Sequence, residues 1–378
     1  MCRQVRFIIT IFFLIFTDTI YAVSLKEMIG QMLIVGFSGQ AIDEKSEIVQ
    51  HIKDNNIGGV ILFDRKDKDN IKSPEQLKTL NSDLQKYTKT YNDLYMRPQV
   101  PLIIAIDYEG GKVNRLKTKY GFPETFTAKK FSELDIQEQA HVAREMAKTM
   151  YKVGINLNLA PCVDIHNDNC PVIGKYERSF STDVNTIVDC ANLFCKATEK
   201  HKIGSVLKHF PGHGSSTNDS HLGAADITNT WTEKELIPYI RLLPENKHCM
   251  VMTAHVMNRN IDETNPATLS NKIIKILRTD IKFDGVIISD AMEMKAVTEY
   301  YGELESLKLA INAGVNIFIF SDGNPDTIID NIAKLVESGE VAEATIKQSY
   351  ENIVAYKQNY LTEETISNNI SKCCCNYL

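Results

Sequence analysis

Short apolar runs recur along the chain, each separated from the next by enough residues for a helix. Met32–Phe37, Gly59–Phe63, Leu102–Ile106 and Ile155–Leu159 are the first four. Ser205–Leu207 with its flanks is the fifth, and Met250–Thr253, Val286–Ile288 and Asn316–Phe320 complete the set. Near-continuous apolar runs of this length suit strands buried on both faces, as in a parallel sheet covered by helices. The intervening segments carry helix starts. Ser73-Pro74 and Asn324-Pro325 each join a capping side chain to a first-turn proline. Ser132 is expected to open a long amphipathic helix that Gly154 closes, and Ser270 to open another. Strands alternating with helices argue for the α/β class, and eight is the strand number of a (β/α)8, TIM-like barrel. A doubly wound open sheet is the alternative, although no G-x-G-x-x-G follows the first strand. No repeat or linker divides the pattern. It predicts one barrel over residues 23–361, with 1–22 set apart in front and a polar tail, 362–378, behind.

Each of the middle runs gives way to polar residues. Asp107-Tyr108-Glu109-Gly110-Gly111 and Arg115 come after the third. Asp164, His166 and, further along, Glu177-Arg178 follow the fourth; Lys208 and His209 the fifth; His255 the sixth; Ser289-Asp290 the seventh. In a parallel barrel these ends share one face, where such folds keep their sites. A single case is ordinary edge decoration, but successive strands ending this way predict a polar pocket. Asp290 alone reads as a helix cap; in such a pocket it becomes a candidate nucleophile. Asp107 is the rival, yet Arg115 is placed to pair with it, which suits binding better.

The densest chemistry lies in Val206–Gly223, V-L-K-H-F-P-G-H-G-S-S-T-N-D-S-H-L-G. Pro211 excludes a helix interior and Gly212 and Gly214 weaken one further, so His209 and His213 do not form a helical zinc pair. No other cluster has ligand spacing, and neither a metal nor another cofactor is expected. A carboxylate close to a histidine fixes its tautomer and frees the other nitrogen to move a proton. Asp219 and His221 fit that description. The bland reading, that these side chains only satisfy loop backbone, suits a lone histidine better than this cluster.

Composition narrows the partners. The 378 residues, 43% hydrophobic, can bury a large core, and a net charge of −6 offers no basic footprint for nucleic acid. Sugars and other neutral or anionic small molecules fit. Arg3 and Arg6 precede the apolar run Phe7–Phe16, and Ala22 closes a signal-like layout. The run is short for a transmembrane span. An exported protein, periplasmic or extracellular, with no stable span after cleavage is therefore expected; a cytoplasmic protein or an uncleaved anchor is the alternative. The nine cysteines show no zinc spacing or redox motif, and Cys162, Cys190, Cys195 and Cys249 read as small buried hydrophobes. Oligomeric state is not legible.

The blocks D-Y-E-G-G-K-V-N-R, E-R-S-F-S, K-H-F-P-G-H-G, N-D-S-H and S-D-A-M-E-M, spread from Asp107 to Met294, carry a resemblance. The chain resembles family 3 glycoside hydrolases of the bacterial β-N-acetylglucosaminidase (β-N-acetylhexosaminidase) type that recycles peptidoglycan. The resemblance implies a retaining, metal-free hydrolase on a (β/α)8-like barrel. It would remove terminal N-acetylglucosamine from muropeptide or chitin-like oligosaccharides through a glycosyl-aspartate. By the same resemblance Asp290 is the nucleophile, His221 the general acid and then base, and Asp219 the residue that orients His221. Asp107, Arg115, Arg178, Lys208 and His209 match sugar-binding positions.

An imidazole acid, with a usual pKa of about 6.5, changes protonation at working pH without burial. It also replaces the second carboxyl group that retaining enzymes commonly hold about 5–5.5 Å from the first. Less negative charge near the anomeric carbon leaves room for some phosphorolysis beside hydrolysis. Lys112 stands where the family often has Arg, Ala291 where many relatives carry a second Asp, and His166–Pro171 is an insert before E-R-S-F-S. A β-glucosidase or β-xylosidase of the same family is the nearest rival. Those relatives usually draw the acid/base carboxylate from another domain and lack the Asp–His loop. Little chain follows the barrel, which favours the short single-domain type. A metal-dependent barrel hydrolase fits less well, and a non-catalytic periplasmic sugar-binding protein is the non-enzymatic reading.

Overall fold

The computed structural model describes residues 23–217 and 225–362. The apolar runs form eight parallel strands: β1 (Leu33–Gly36), β2 (Gly59–Leu62), β3 (Ile103–Ile106), β4 (Leu157–Asn158), β5 (Gly204–Phe210), β6 (Cys249–Thr253), β7 (Ile287–Ala291) and β8 (Ile317–Phe320). They close into a barrel in chain order, with β1 pairing both β2 (Ile34 opposite Gly59) and β8 (Leu33 opposite Phe318). The (β/α)8 expectation holds, and the open sheet does not. Adjacent Ile103 and Ile104 point to opposite faces of β3, and both are fully buried. That double burial is what an unbroken apolar run requires. Truncating either to Ala is expected to cost about 2–5 kcal/mol.

Helix ends follow the local chemistry. Ser73 accepts a hydrogen bond from the Gln76 backbone N–H (3.2 Å), and Pro74 begins the helix Pro74–Leu94. Asn324 caps Pro325–Glu337 in the same way. Ser270 caps Asn271–Lys275, accepting from Ile273. The expectation for Ser132 needs correction. Ser132 ends a short helix, Ala128–Ser132, and its hydroxyl donates to the Phe180 carbonyl (2.6 Å). Asp135 caps the long helix instead, accepting from the Gln137 and Glu138 backbones at 2.9 Å each. A carboxylate satisfies two free N–H groups and suits the positive end of the helix. Gly154 does follow that helix, at a φ of 77° that favours glycine.

At the far end of the barrel Lys357 is buried, its Nζ donating to Gln31 Oε1 (2.8 Å) and the Gly58 carbonyl (2.7 Å). That contact fastens the last described segment, Lys357–Leu361, beneath β1 and β2. Cys162, Cys170, Cys190, Cys195 and Cys249 are buried and unbridged. Among the described residues no helix is long and apolar enough to cross a membrane. Residues 1–22, the Asp219–His221 pair and all but the first residue of the predicted tail lie outside the described residues.

Candidate active site

The C-terminal strand ends surround a cleft of about 630 Å³ that Asp107, Arg115, Arg178, Lys208, His209 and Asp290 all line. Asp107 directly follows β3. The chain then doubles back, Tyr108–Gly110 pairing antiparallel with Val113–Asn114. The turn needs Gly111, with φ 55°, where a Cβ would stand 2.4 Å from Thr127. This hairpin returns Arg115 to Asp107, guanidinium to carboxylate at 3.2 Å.

From there charges alternate across neighbouring strands. Lys208 Nζ lies 3.1 Å from Asp107 and 2.7 Å from Glu109. Arg178 grips both oxygens of Glu109, Nε to Oε2 at 2.8 Å and an Nη to Oε1 at 2.7 Å. The same Nη donates to His209 Nε2 at 3.2 Å. His209 Nδ1 lies 2.7 Å from Asp164. A guanidinium only donates, so His209 Nε2 accepts and its proton sits on Nδ1, shared with Asp164.

Burial alone would raise the pKa values of these carboxyl groups, but the facing cations outweigh it. Arg178 and Lys208 hold Glu109 down at about 2. Lys208 and Arg115 likewise hold Asp107 below its usual range. Asp164 is lowered against its burial by His209 and by the His213 backbone N–H, which it accepts at 2.7 Å. Burial disfavours charge on Lys208, yet Glu109 and Asp107 raise its pKa. Asp107, Glu109, Asp164 and Lys208 therefore stay ionised, each held in direction by its partners.

Asp290 stands on the opposite wall, since β7 and β3 lie half the barrel apart. Its Oδ1 accepts the Ala291 backbone N–H at 2.8 Å. The cleft thus sets a row of charged groups, Asp107, Lys208 and Arg178, and the Asp290 carboxylate into one lining. Asp219 and His221, which sequence reasoning brings to this site, lie outside the described residues.

Several polar strand ends do not face the cleft. Asp164 is buried beneath it, bracing His209. His213 is buried too, its pKa pushed down to about 4 by burial and by His209, whose ring centroid is 5.8 Å away. His255 Nε2 bonds the Ala291 carbonyl, at the end of β7, at 3.0 Å. His166 pairs with Asp168 at 2.8 Å in a separate groove beside Glu235, whose carboxyl burial raises to about 8. The prediction of a shared polar pocket therefore holds for the third, fifth and seventh strand ends and for Arg178. Asp164, His166 and His255 are not among the residues that line this cleft. Of the departures, Lys112 donates to the Lys175 carbonyl at the rim (3.4 Å) and Ala291 lines the cleft.

Among the described residues Cys162, Asp164 and His209 bring potential metal ligands within 4.8 Å of one another. The set is already engaged. Asp164 accepts from the Cys162 thiol (3.2 Å), from His209 Nδ1 and from the His209 and His213 backbones. Burial pushes the Cys162 pKa well up, which disfavours the thiolate a metal needs. The trio reads as a brace for His209.

Sequence reasoning gave no role to Glu109, the hub of the charge row. The spacing Asp107-Tyr108-Glu109 carried the signal, because alternate residues of an extended segment share a face. Nothing local marked Asp164 as the partner of His209, forty-five residues on.

A closed parallel barrel whose C-terminal rim gathers a charged row and a carboxylate in one cleft defines a (β/α)8 protein with a polar rim site. The chain belongs to glycosyl hydrolase family 3, whose N-terminal domain model matches residues 24–355. It is 32% identical over 318 residues to a beta-hexosaminidase of Haemophilus influenzae, covering 81% of this chain and 84% of that protein. It is 29% identical over 327 residues to beta-hexosaminidase A of Pseudoalteromonas piscicida, covering 77% of this chain and spanning about half, 52%, of that protein. A solved family 3 beta-N-acetylglucosaminidase from Paenibacillus superposes with a TM-score of 0.80 at 29% identity, over 92% of this chain and 65% of that one.

Proposed function

We propose that the protein is a retaining β-N-acetylhexosaminidase that removes non-reducing terminal N-acetylglucosamine through a covalent sugar–Asp290 intermediate. The observation that carries this reading is Asp290 facing the Asp107–Lys208–Glu109–Arg178 row across one cleft. In it, Asp107 and Lys208 take the sugar hydroxyls, and Arg178 and Arg115 reach remaining oxygens, the N-acetyl carbonyl included. With the ring so held, Asp290 attacks the anomeric carbon and the leaving oxygen takes a proton from His221. Asp219 steadies His221 in its charged form. In the second half, His221 removes a proton from water, which displaces Asp290 and regenerates both groups. Fixed charges cost no reorganisation at the moment of reaction, the usual source of electrostatic rate gain.

The names of the relatives, beta-hexosaminidase and beta-N-acetylglucosaminidase, support N-acetylglucosamine as the glycone. We extend the proposal to peptidoglycan-derived or chitin-like oligosaccharides as substrate, and to export directed by residues 1–22. The same reading takes residues 23–361 as the catalytic unit. Release of nitrophenol from a 4-nitrophenyl N-acetyl-β-glucosaminide, compared with the β-glucoside and β-xyloside, tests the activity. Preference for the N-acetyl substrate is expected; faster cleavage of the glucoside or xyloside selects the rival activity, and no turnover selects the binding-protein reading. N-terminal sequencing of the protein recovered outside the cytoplasm tests the export proposal.

A further inference from the structure

The cleft carries an aromatic ring that neither the core nor the charge row uses. Tyr176 lies between β4 and the helix Val184–Glu199 and lines the cleft. It is 44% exposed, and of the exposed large apolar side chains among the described residues it is the one in that lining. A single apolar side chain on an open surface is ordinary. One set into the wall of a polar cleft is not, because it offers a flat apolar face where a hydrogen-bonding group could stand. The ring is also held in place. Lys112 sits in the turn of the hairpin that follows β3, its Nζ 5.7 Å from the Tyr176 ring centroid and within the reach of a cation–π contact. The same Nζ donates to the Lys175 carbonyl at 3.4 Å, which ties the two loops together. Val113 and Val172, from the same two loops, line the cleft as well.

The barrel order says which part of a ligand meets the ring. β7, which carries Asp290, lies half the barrel from β3 and three strands from β4. Lys112 follows β3 and Tyr176 follows β4, so their loops rise from the side of the barrel away from Asp290. Displacement at the anomeric carbon puts nucleophile and leaving group on opposite sides of it, so attack by Asp290 drives the leaving group away from the β7 wall. Exposure then separates floor from mouth. Lys208 is 2% and His209 5% exposed, against 44% for Tyr176. In the proposed mechanism the attacked sugar occupies the buried floor with Lys208, which leaves the exposed level for its leaving group. The cleft of about 630 Å³ falls within the roughly 300–1,000 Å³ of small-molecule pockets, with room for a second ring. One face of a pyranose presents axial C–H bonds and is apolar, a match for a flat aromatic surface. We infer that Tyr176 is a specificity residue whose ring stacks on the C–H face of the leaving-group sugar. This inference rests on the N-acetylhexosaminidase reading.

The test compares two substrates that share a glycone and a poor leaving group but differ in whether a second ring is present: N,N′-diacetylchitobiose and methyl N-acetyl-β-glucosaminide. Tyr176→Ala is expected to lower kcat/KM for the disaccharide about three- to tenfold, the size of one stacking contact. On the methyl glycoside kcat/KM should stay within about twofold, since no stacking is lost there. Tyr176→Phe keeps the ring and should match wild type on both substrates, which separates stacking from a hydrogen bond made by the phenol hydroxyl. A loss that is no larger on the disaccharide than on the methyl glycoside, or a Tyr176→Phe variant as impaired as Tyr176→Ala, overturns the assignment. Failure of the wild-type protein to cleave either substrate overturns the underlying activity instead, and the assignment with it.

Discussion

In Glu109→Gln the side chain keeps its shape and loses the charge that holds Lys208 at 2.7 Å and Arg178 at 2.7 and 2.8 Å. The carboxyl group is nearly buried, 7% exposed, so solvent screens little of the effect. Its pKa falls from 4.5 to about 2 on folding. At about 1.4 kcal/mol for each tenfold change in proton affinity, the charged form gains roughly 3 kcal/mol. That agrees with the roughly 3–5 kcal/mol lost when one partner of a buried ion pair is removed. With unfolding entropy near roughly 2.1 cal/mol/K per residue, the melting temperature of a domain this size should drop by roughly 4–7 °C. The sign of the pH dependence follows from the lowered pKa. The stabilisation is present above pH 4.5 and is lost as pH falls toward about 2. Thermal melts of wild type and variant should therefore differ most near neutrality, keep a reduced gap near pH 3 and converge only by about pH 2. Activity should fall as well, because Arg178 and Lys208 lose their fixed direction. A gap of the same size near neutrality and at about pH 2, or no gap near neutrality, refutes the charge-row argument.

Three further outcomes are expected. His221→Ala should lose about 10²–10⁴-fold in kcat on substrates with poor leaving groups and far less on good ones, as steady-state kinetics on an aryl series would show. Asp164→Asn should cost about 1–3 kcal/mol in a thermal melt and loosen the Nδ1–H form of His209, visible in the ¹⁵N shifts of its ring. The thiols of Cys162, Cys170, Cys190, Cys195 and Cys249 are buried; burial raises the pKa of Cys190 to about 11 and that of Cys162 well above the usual thiol value. Peptide mapping after maleimide treatment should find them labelled only once denaturant is added.

The barrel was legible because its strands are apolar on both faces, so Ile103–Ile106 and Ile317–Phe320 announce themselves without their neighbours. β4 was legible only approximately: Ile155–Leu159 contains just two residues, Leu157–Asn158, that pair. The Ser132 error arose because two capping residues, Ser132 and Asp135, stand a turn apart and propensity does not choose between them. Tertiary contact with Phe180 decides it. The site divides along the same line. Asp107 and Arg115 are near in sequence, and their pairing was foreseen. Glu109 with Arg178 and Asp164 with His209 join different strand ends, and only barrel closure brings them together. His166 and His255 follow their strands as the cleft residues do, yet neither is among the residues that line the cleft.

The most direct test of the central proposal is to trap the intermediate. The protein would be incubated with a slow 5-fluoro N-acetylglucosaminyl donor, digested and mapped by mass spectrometry. The account predicts one added glycosyl mass on the peptide containing Asp290, absent from Asp290→Ala. A glycosyl group on Asp107 or Glu293, or turnover of the donor with no labelled peptide, contradicts it.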